Sequence, residues 1–130
     1  MVNLNSFHDI LLVSIGAVFG VNARFIIYQK LKQININRYF IILAINIFSC
    51  FLLGLFISIL PKIKSLTFSS QLAFFVLIGF LGSLSTFSTF VYDLFDLCLK
   101  SKFCKALKLF SFSFSLGIFA LALGSYLGNK

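Results

Sequence analysis

The sequence predicts an all-α integral membrane protein with four transmembrane helices, the third of which breaks in mid-membrane. Of its 130 residues, 60% are hydrophobic and 11% are charged, whereas soluble domains are about 45–50% apolar. Glycine and small hydroxyl residues crowd together inside the third of four apolar runs. Each run is near or above the roughly 20 residues that span a bilayer, and the runs cover about 10–28, 39–60, 71–97 and 107–127.

Short basic connections join these four segments. The second connection begins at Pro61, the only proline and a helix stop, and the third, Lys100–Lys108, carries four lysines. No linker interrupts the chain, so residues 1–130 are predicted to form one four-helix transmembrane domain. Because four helices enclose little space, we expect an oligomer. The net charge of +8 lies between apolar segments, which indicates orientation signals and lipid headgroup contact rather than nucleic-acid binding.

Segment one carries Gly16, Gly20 and Arg24 at intervals of four. Small residues four apart favour close packing of membrane helices. An arginine is costly at membrane depth. Arg24 either extends its side chain from the helix end to the interface or lies in an aqueous vestibule, where it attracts anions. Asn22 is interpreted as a packing or capping amide.

Segment two has one strongly polar residue, Asn46, at its centre. Its side-chain amide has two donor hydrogens and an acceptor oxygen to satisfy. Asn46 either forms an interhelical hydrogen bond or donates into a polar track through the membrane. The small residues Ser49 and Cys50 lie one turn further on, and Gly54, which has no side chain, reduces the helix diameter at its position.

Segment three contains the stretch from Gly79 to Asp93, GFLGSLSTFSTFVYD. In a bilayer core every backbone N–H and C=O needs a partner. A run of glycine and serine at that depth predicts a helix that breaks where protein, an ion or water satisfies the freed groups. The alternative is a seam of small residues between packed helices. Phe87 and Phe90, three residues apart, share one helix face.

Segment four alternates serine with phenylalanine, as a strand does, but its length and its lack of turn signals favour a helix. On a helix its small residues form one stripe. The serine hydroxyls can bond to carbonyls four residues earlier in the same helix, so they need not line anything. The stripe consists of Ser113, Gly117, Ala120 and Gly124.

Several site classes are disfavoured by residue type. The three cysteines form no CxxC or Cys/His cluster, and His8 is the only histidine, which argues against a metal thiolate site or a disulfide framework. The N-terminus lacks a basic region and an A-x-A site, so no cleavable signal is predicted. No nucleophile–base pair and no acid pair in a plausible cleft supports an enzyme.

Two other membrane functions remain open at this point. A small proton-coupled multidrug exporter needs a titratable carboxylate within the membrane. The only acids are Asp9, Asp93 and Asp96, all near segment ends, which favours passive flow. A non-transporting membrane assembly subunit would be compatible with the small-residue stripes alone.

The motifs of all four segments together resemble the Fluc (CrcB) family of fluoride-specific ion channels. In segment one the family's GGxxGAxxR matches Gly16, Ala17, Gly20, Val21 and Arg24. In segment two its VNxxGSFLLG appears as Ile45, Asn46, Ser49, Cys50, Phe51, Leu52, Leu53 and Gly54. Segment three is the most specific match, since the family pattern is close to GFxGGxTTFSTFSxE. The chain has there Gly79, Phe80, Gly82, Ser83, Ser85, Thr86, Phe87, Ser88, Thr89, Phe90 and Asp93.

The chain departs from the family pattern at several positions. Ser83 replaces the second glycine of the GG pair, and Asp93 replaces a glutamate. Ile41 and Ile42 occupy the usual Gly-Thr positions, and Leu109 stands where a polar residue is common. These changes bear on whether one polar track is complete. The remaining departures are Ser49, Cys50 and Ser85.

The resemblance implies an antiparallel dimer with two narrow fluoride pathways, through which fluoride leaves the cell passively and its toxicity is reduced. It implies a structural, untransported sodium ion on the dimer axis, held by backbone carbonyls at the third-helix break. Matched by position, Gly82 and Ser85 hold the sodium. The fluoride pathway is lined by Asn46, Thr86, Phe87, Phe90 and Ser113.

The charge distribution predicts one orientation in the plasma (inner) membrane. The side with connections one and three carries eight basic residues when Arg24 is included, and the other side carries three. Because basic residues in short loops favour the cytoplasm, both termini are predicted to lie outside. An antiparallel homodimer needs both orientations from one sequence. We therefore expect a heterodimer with an oppositely inserted paralogue, with the homodimer as the alternative.

Overall fold

The computed structural model describes residues 7–34, 36–62, 70–85 and 87–130. Within these ranges most of the backbone is helical and no residue forms a strand. A 3-10 turn, Leu60–Lys62, follows the second helix, and a π-helical stretch, Ala73–Leu81, follows helical residues 70–72 in the third segment. The α-helices are α1 (Phe7–Gln33), α2 (Arg38–Ile59), α3 (Gly82–Leu84), α4 (Phe87–Leu99) and α5 (Phe103–Asn129).

Four stretches of the described residues are long and apolar enough to cross a membrane. They are Phe7–Gln33, Arg38–Lys62, Ser70–Leu99 and Phe103–Asn129. The predicted all-helical class and the four spans are therefore confirmed. Most span ends extend a few residues past the predicted segments, because the helical backbone continues into the polar residues that border each apolar run. Segment four is helical as predicted, since its alternating serine and phenylalanine residues lie within α5.

Helix α1 packs against the π-helical stretch and α3 through its two glycines. A methyl group at Gly16 would collide with the Phe75 carbonyl and lie 3.1 Å from the Phe80 nitrogen. A methyl group at Gly20 would collide with the Phe80 carbonyl and the Ser83 hydroxyl. The predicted close packing of Gly16 and Gly20 is confirmed, since only hydrogen side chains let these backbones meet.

Helix α2 packs along α5 in the same way. A methyl group at Gly54 would collide with the Leu121 carbonyl, and one at Gly124 with the Phe51 carbonyl. At one end of the helix pair, the Lys62 ammonium group donates to the carbonyl oxygen of Gly128 at 2.6 Å. The small-residue stripe of segment four therefore contacts α2.

A small core joins α2 to segment three. Ile41 and Ile45 of α2 are buried against Leu81 and Leu84, and both Ile41 and Leu84 are almost completely enclosed. Many other large apolar side chains are exposed, as expected of residues that face lipid or another subunit.

Several polar side chains within the spans bond to carbonyls of their own helix. Ser14 donates to the Ile10 carbonyl and Ser49 to the Ile45 carbonyl, each at 2.8 Å. The Asn22 amide donates to the Val18 carbonyl of the same helix at 2.8 Å, which differs from the predicted packing or capping role. These bonds satisfy polar groups that lipid cannot solvate.

Candidate functional site

A groove of about 380 Å³ runs between α2, α4 and α5. Five of the predicted site residues line this groove together. They come from three different spans, so the fold and not sequence proximity brings them to one place. These residues are Asn46 of α2, Ser85 before α4, Phe87 and Phe90 of α4, and Ser113 of α5. We call this space the Asn46 groove.

Four phenylalanine rings form a continuous row along the Asn46 groove. The ring centroids of Phe87 and Phe90 are 6.5 Å apart, and Phe90 lies 6.4 Å from Phe110, which lies 6.1 Å from Phe114. Phe90 is buried, whereas Phe87 is 78% exposed. Sequence reasoning missed Phe110 and Phe114. The spacing of four residues that puts them on one helix face was present, but it was obscured by the serine–phenylalanine alternation.

The polar groups of the Asn46 groove are few. Asn46 and Ser113 are half-buried and lie on different helices. Cys50, one turn after Asn46, also lines the groove, a position that was not predicted for it. Ser85 is the fourth polar lining residue, and the remaining lining is aromatic and aliphatic apart from Gly117, so the walls supply few hydrogen-bond acceptors.

The two positions assigned to sodium border a second, smaller cavity of about 110 Å³, which Ser49 and Cys50 also line. Helix α3 ends at Leu84, and Ser85 follows with an extended backbone, φ −78° and ψ 141°. The Ser85 amide still donates to the Leu81 carbonyl at 3.1 Å. Gly82 is exposed. Thr86, assigned to the fluoride pathway, lies outside the described residues.

In the described part of the chain, no three His, Cys, Asp or Glu side chains come together in a way that could hold a metal ion. A cation beside Gly82 and Ser85 would therefore depend on main-chain and hydroxyl oxygens.

Arg24 does not lie in the Asn46 groove. It lines a separate cavity of about 430 Å³, between the end of α1 and the start of α2, together with Tyr28, Arg38 and Thr89. We call this space the arginine cavity. Arg38 is one of the eight basic residues assigned to the side of connections one and three, and nothing in the sequence pattern places it beside Arg24.

Arg38 also forms an ion pair inside the protein. Its Nε lies 3.1 Å from Oδ1 of Asp93, whose side chain is only 4% exposed. The guanidinium carbon lies 5.2 Å from the centre of the Tyr92 ring, a distance typical of a cation–π contact. A second pair lies nearby at the surface. Lys100 donates to Asp96 at 2.7 Å, and this hydrogen bond raises the pKa of Lys100.

The positions that depart from the family pattern have structural roles. Ile41 and Ile42 are buried, and Leu109 is half-buried. The Ser83 hydroxyl lies within donating distance of the Ala17 carbonyl, 3.0 Å away in α1, and of the Phe80 carbonyl at 3.1 Å. Ser83 therefore adds a polar contact where a second glycine would leave only backbone.

Comparison with known proteins shows the family of this chain. The family model described as CrcB-like protein, Camphor Resistance (CrcB), matches residues 11–125. The chain is 55% identical over 122 residues to the fluoride-specific ion channel FluC 2 of Prochlorococcus marinus strain NATL2A, covering 94% of this chain and 98% of that relative. It is 35% identical to FluC 2 of a second Prochlorococcus marinus strain, SARG, covering 97% and 96%. It is 34% identical to FluC of Acidobacterium capsulatum, covering 91% and 94%. The chain therefore belongs to the CrcB family.

Proposed function

We propose that this protein is a subunit of a fluoride-selective channel. It lets fluoride leave the cell passively, which lowers cytoplasmic fluoride and protects the cell from its toxicity. The observation that carries the proposal is the 55% identity, over nearly the full length of both chains, to a relative named as a fluoride-specific ion channel. Residues 1–130 act as one four-helix transmembrane domain in the plasma membrane, and the function involves no catalysis.

The Asn46 groove offers what a fluoride pathway needs. Fluoride is strongly hydrated, so a pathway must replace the hydrogen bonds of water with other donors. Asn46 supplies N–H groups and Ser113 supplies a hydroxyl. The positive edges of the Phe87 and Phe90 rings face an anion favourably without adding a basic group. Thr86 belongs to the same pathway by its position in the sequence motif.

The third span acts as a helix broken in mid-membrane, with a structural sodium ion at the break. The extended backbone of Ser85 and the small cavity beside Gly82 support this proposal. Hard cations prefer oxygen ligands, and unwound carbonyls provide them in membrane proteins. Gly82 and Ser85 would hold the ion, whose positive charge would satisfy carbonyls that lipid cannot.

The working channel is an antiparallel dimer, with an oppositely inserted paralogue as the expected partner. The surface exposure of Phe87 supports a second subunit, because a ring that borders an ion pathway must be enclosed. The basic bias towards connections one and three supports a single orientation of this chain. One Prochlorococcus marinus relative, of strain NATL2A, is named FluC 2 and another, of strain MIT 9313, is named FluC 1, and such numbering is compatible with paired paralogues.

A proton-coupled exporter is the competing function that the structure bears on most directly. Such an exporter needs an intramembrane carboxylate that gains and loses protons. Asp9, Asp93 and Asp96 all lie nearer the ends of their spans than the middle, and Asp93 forms an ion pair with Arg38 at 3.1 Å. These are the only acids in the sequence, so no carboxylate stands at mid-membrane, and passive flow is the better supported mechanism.

Fluoride efflux from liposomes tests the proposed function. The purified protein, alone or co-expressed with a paralogue, is reconstituted into liposomes loaded with fluoride, and external fluoride is followed with a selective electrode. We expect rapid release of fluoride, and no release from liposomes loaded with chloride. Absence of fluoride release with and without the paralogue would refute the proposal.

A further inference from the structure

The ion pair between Arg38 and Asp93 joins the first residue of α2 to the middle of α4. The Asp93 side chain is nearly inaccessible, whereas that of Arg38 is 46% exposed. A buried carboxylate without a partner is strongly unfavourable. Arg38 therefore stabilises a negative charge in the interior and still reaches an open space with the rest of its side chain.

That open space is the arginine cavity, where Arg38 and Arg24 are both lining residues. Its other polar lining residues are Asn22, Tyr28 and Thr89, which are uncharged donors or acceptors. Two positive charges border the cavity, and one negative charge, Asp93, lies behind Arg38. The neighbouring Asp96 is already matched by Lys100 at 2.7 Å and by the Tyr39 hydroxyl at 3.2 Å.

The arginine cavity lies next to the Asn46 groove in the fold. In α2, Ile45 lines the cavity and the next residue, Asn46, lines the groove. In α4, Thr89 lines the cavity and the next residue, Phe90, lines the groove. Two of the three helices that line the groove, α2 and α4, therefore also form walls of the cavity. The cavity and the groove are therefore separated by α2 and α4 residues that are neighbours in sequence, and the cavity lies towards the membrane side of connection one.

We propose that Arg38 is a positioning residue for fluoride access. It cancels the charge of the buried Asp93, so that the arginine cavity keeps a net positive charge towards an arriving anion. This inference rests on the proposed function. A cleft lined by charges of one sign raises the local concentration of the opposite ion by about 10-fold or more. The charge balance of Arg24, Arg38 and Asp93 then sets the fluoride concentration at which flux through the channel is half-maximal.

The test is the fluoride concentration at which flux is half-maximal, measured in liposomes with the assembly that carries flux. Arg38→Gln leaves Asp93 uncompensated, and we expect the half-saturating concentration to rise about 10-fold. Asp93→Asn removes the negative charge, and we expect that concentration to fall several-fold. The double variant has the same net charge in the cavity as the natural protein, and we expect a value within about 2-fold of it.

The double variant and Asp93→Asn keep the test informative if Arg38→Gln does not fold. Lys100→Gln is the matched control, because it removes a positive charge from an exposed pair while Asp96 keeps the Tyr39 hydroxyl as a partner. We expect its half-saturation to be unchanged.

The outcomes separate the two proposals. If the ion pair only holds α2 to α4, the folded variants will share the half-saturation of the natural protein, and only their yield of assembled channel will differ. That result overturns the inference and leaves the proposed function intact. A natural protein without fluoride flux, alone and with a paralogue, overturns both.

Discussion

Replacement of Gly124 by alanine should destabilise the packing of α2 against α5. The added methyl group would collide with the Phe51 carbonyl and lie 3.0 Å from the Leu55 nitrogen and 3.1 Å from the Phe51 carbonyl carbon. All three atoms belong to the α2 backbone, which cannot move aside as a flexible side chain can. The two helices must separate, and contacts along the whole pair are weakened.

The matched control is Gly117→Ala, which lies two turns earlier on the same helix. There the nearest atom to the added methyl group is the Cys50 sulfur at 3.6 Å, an ordinary van der Waals contact. The two substitutions gain the same helix propensity, at most about 1 kcal/mol. Only the steric cost differs between them.

The expected magnitude follows from the same contacts. Overpacking a tight contact costs about 1–3 kcal/mol, so we expect Gly124→Ala to lose roughly 2 kcal/mol relative to Gly117→Ala. For a chain of this size that corresponds to a melting temperature lower by roughly 6–10 °C. Thermal unfolding in detergent, followed by far-ultraviolet circular dichroism, measures the difference. Equal melting temperatures for the two variants would show that the α2–α5 backbones are not in contact at Gly124.

The remaining predictions concern the proposed channel. Phe87→Ile and Phe90→Ile should reduce fluoride flux at least about 10-fold without loss of the folded dimer, because isoleucine has no positive ring edge; unchanged efflux in both would mean that the rings only pack. Asn46→Asp should abolish flux, since an ionised carboxylate repels the anion and only accepts hydrogen bonds, and near-normal efflux would remove Asn46 from the pathway. Replacing sodium by a larger cation should abolish flux or loosen the dimer, whereas Ser85→Ala should be mild because its carbonyl is the proposed ligand; indifference to sodium removal would argue against the ion site. A reporter fused after Lys130 should give a purely external signal, and equal signals on both sides would instead indicate dual topology and a homodimer.

The phenylalanine substitutions have a matched control in α5. Phe112 is exposed and is not among the residues that line the Asn46 groove. Phe112→Ile should leave fluoride efflux unchanged, which separates the loss of a ring in the groove from the general loss of an aromatic side chain.

The four spans could be predicted because lipid imposes a simple requirement on sequence. A helix that crosses a bilayer must be apolar over about 20 residues, and each segment met that requirement before any fold was known. The candidate groove residues Asn46, Phe87 and Phe90 could also be selected, because a polar amide or a break in helix formers is conspicuous in an apolar run. Their position in one groove was implied by the family resemblance and not by the residues alone.

The pairing of helices could not be predicted in the same way. Glycines at 16, 20, 54 and 124 allow close approach, but small residues do not specify which helix approaches. Lipid is as apolar as a neighbouring helix, so no periodic contrast marks the buried face of a span.

The sequence by itself determined that this protein is a four-span helical membrane protein of the CrcB family, since span length and local motifs are properties of contiguous residues. Only the tertiary structure decided which distant side chains meet. In the folded protein Arg38 forms an ion pair with the buried Asp93 and lines a cavity together with Arg24. Phe110 and Phe114 extend the row of phenylalanine rings along the Asn46 groove. Those contacts depend on the packing of separate spans, and a charge or a ring in one span carries no local signal of its partner in another.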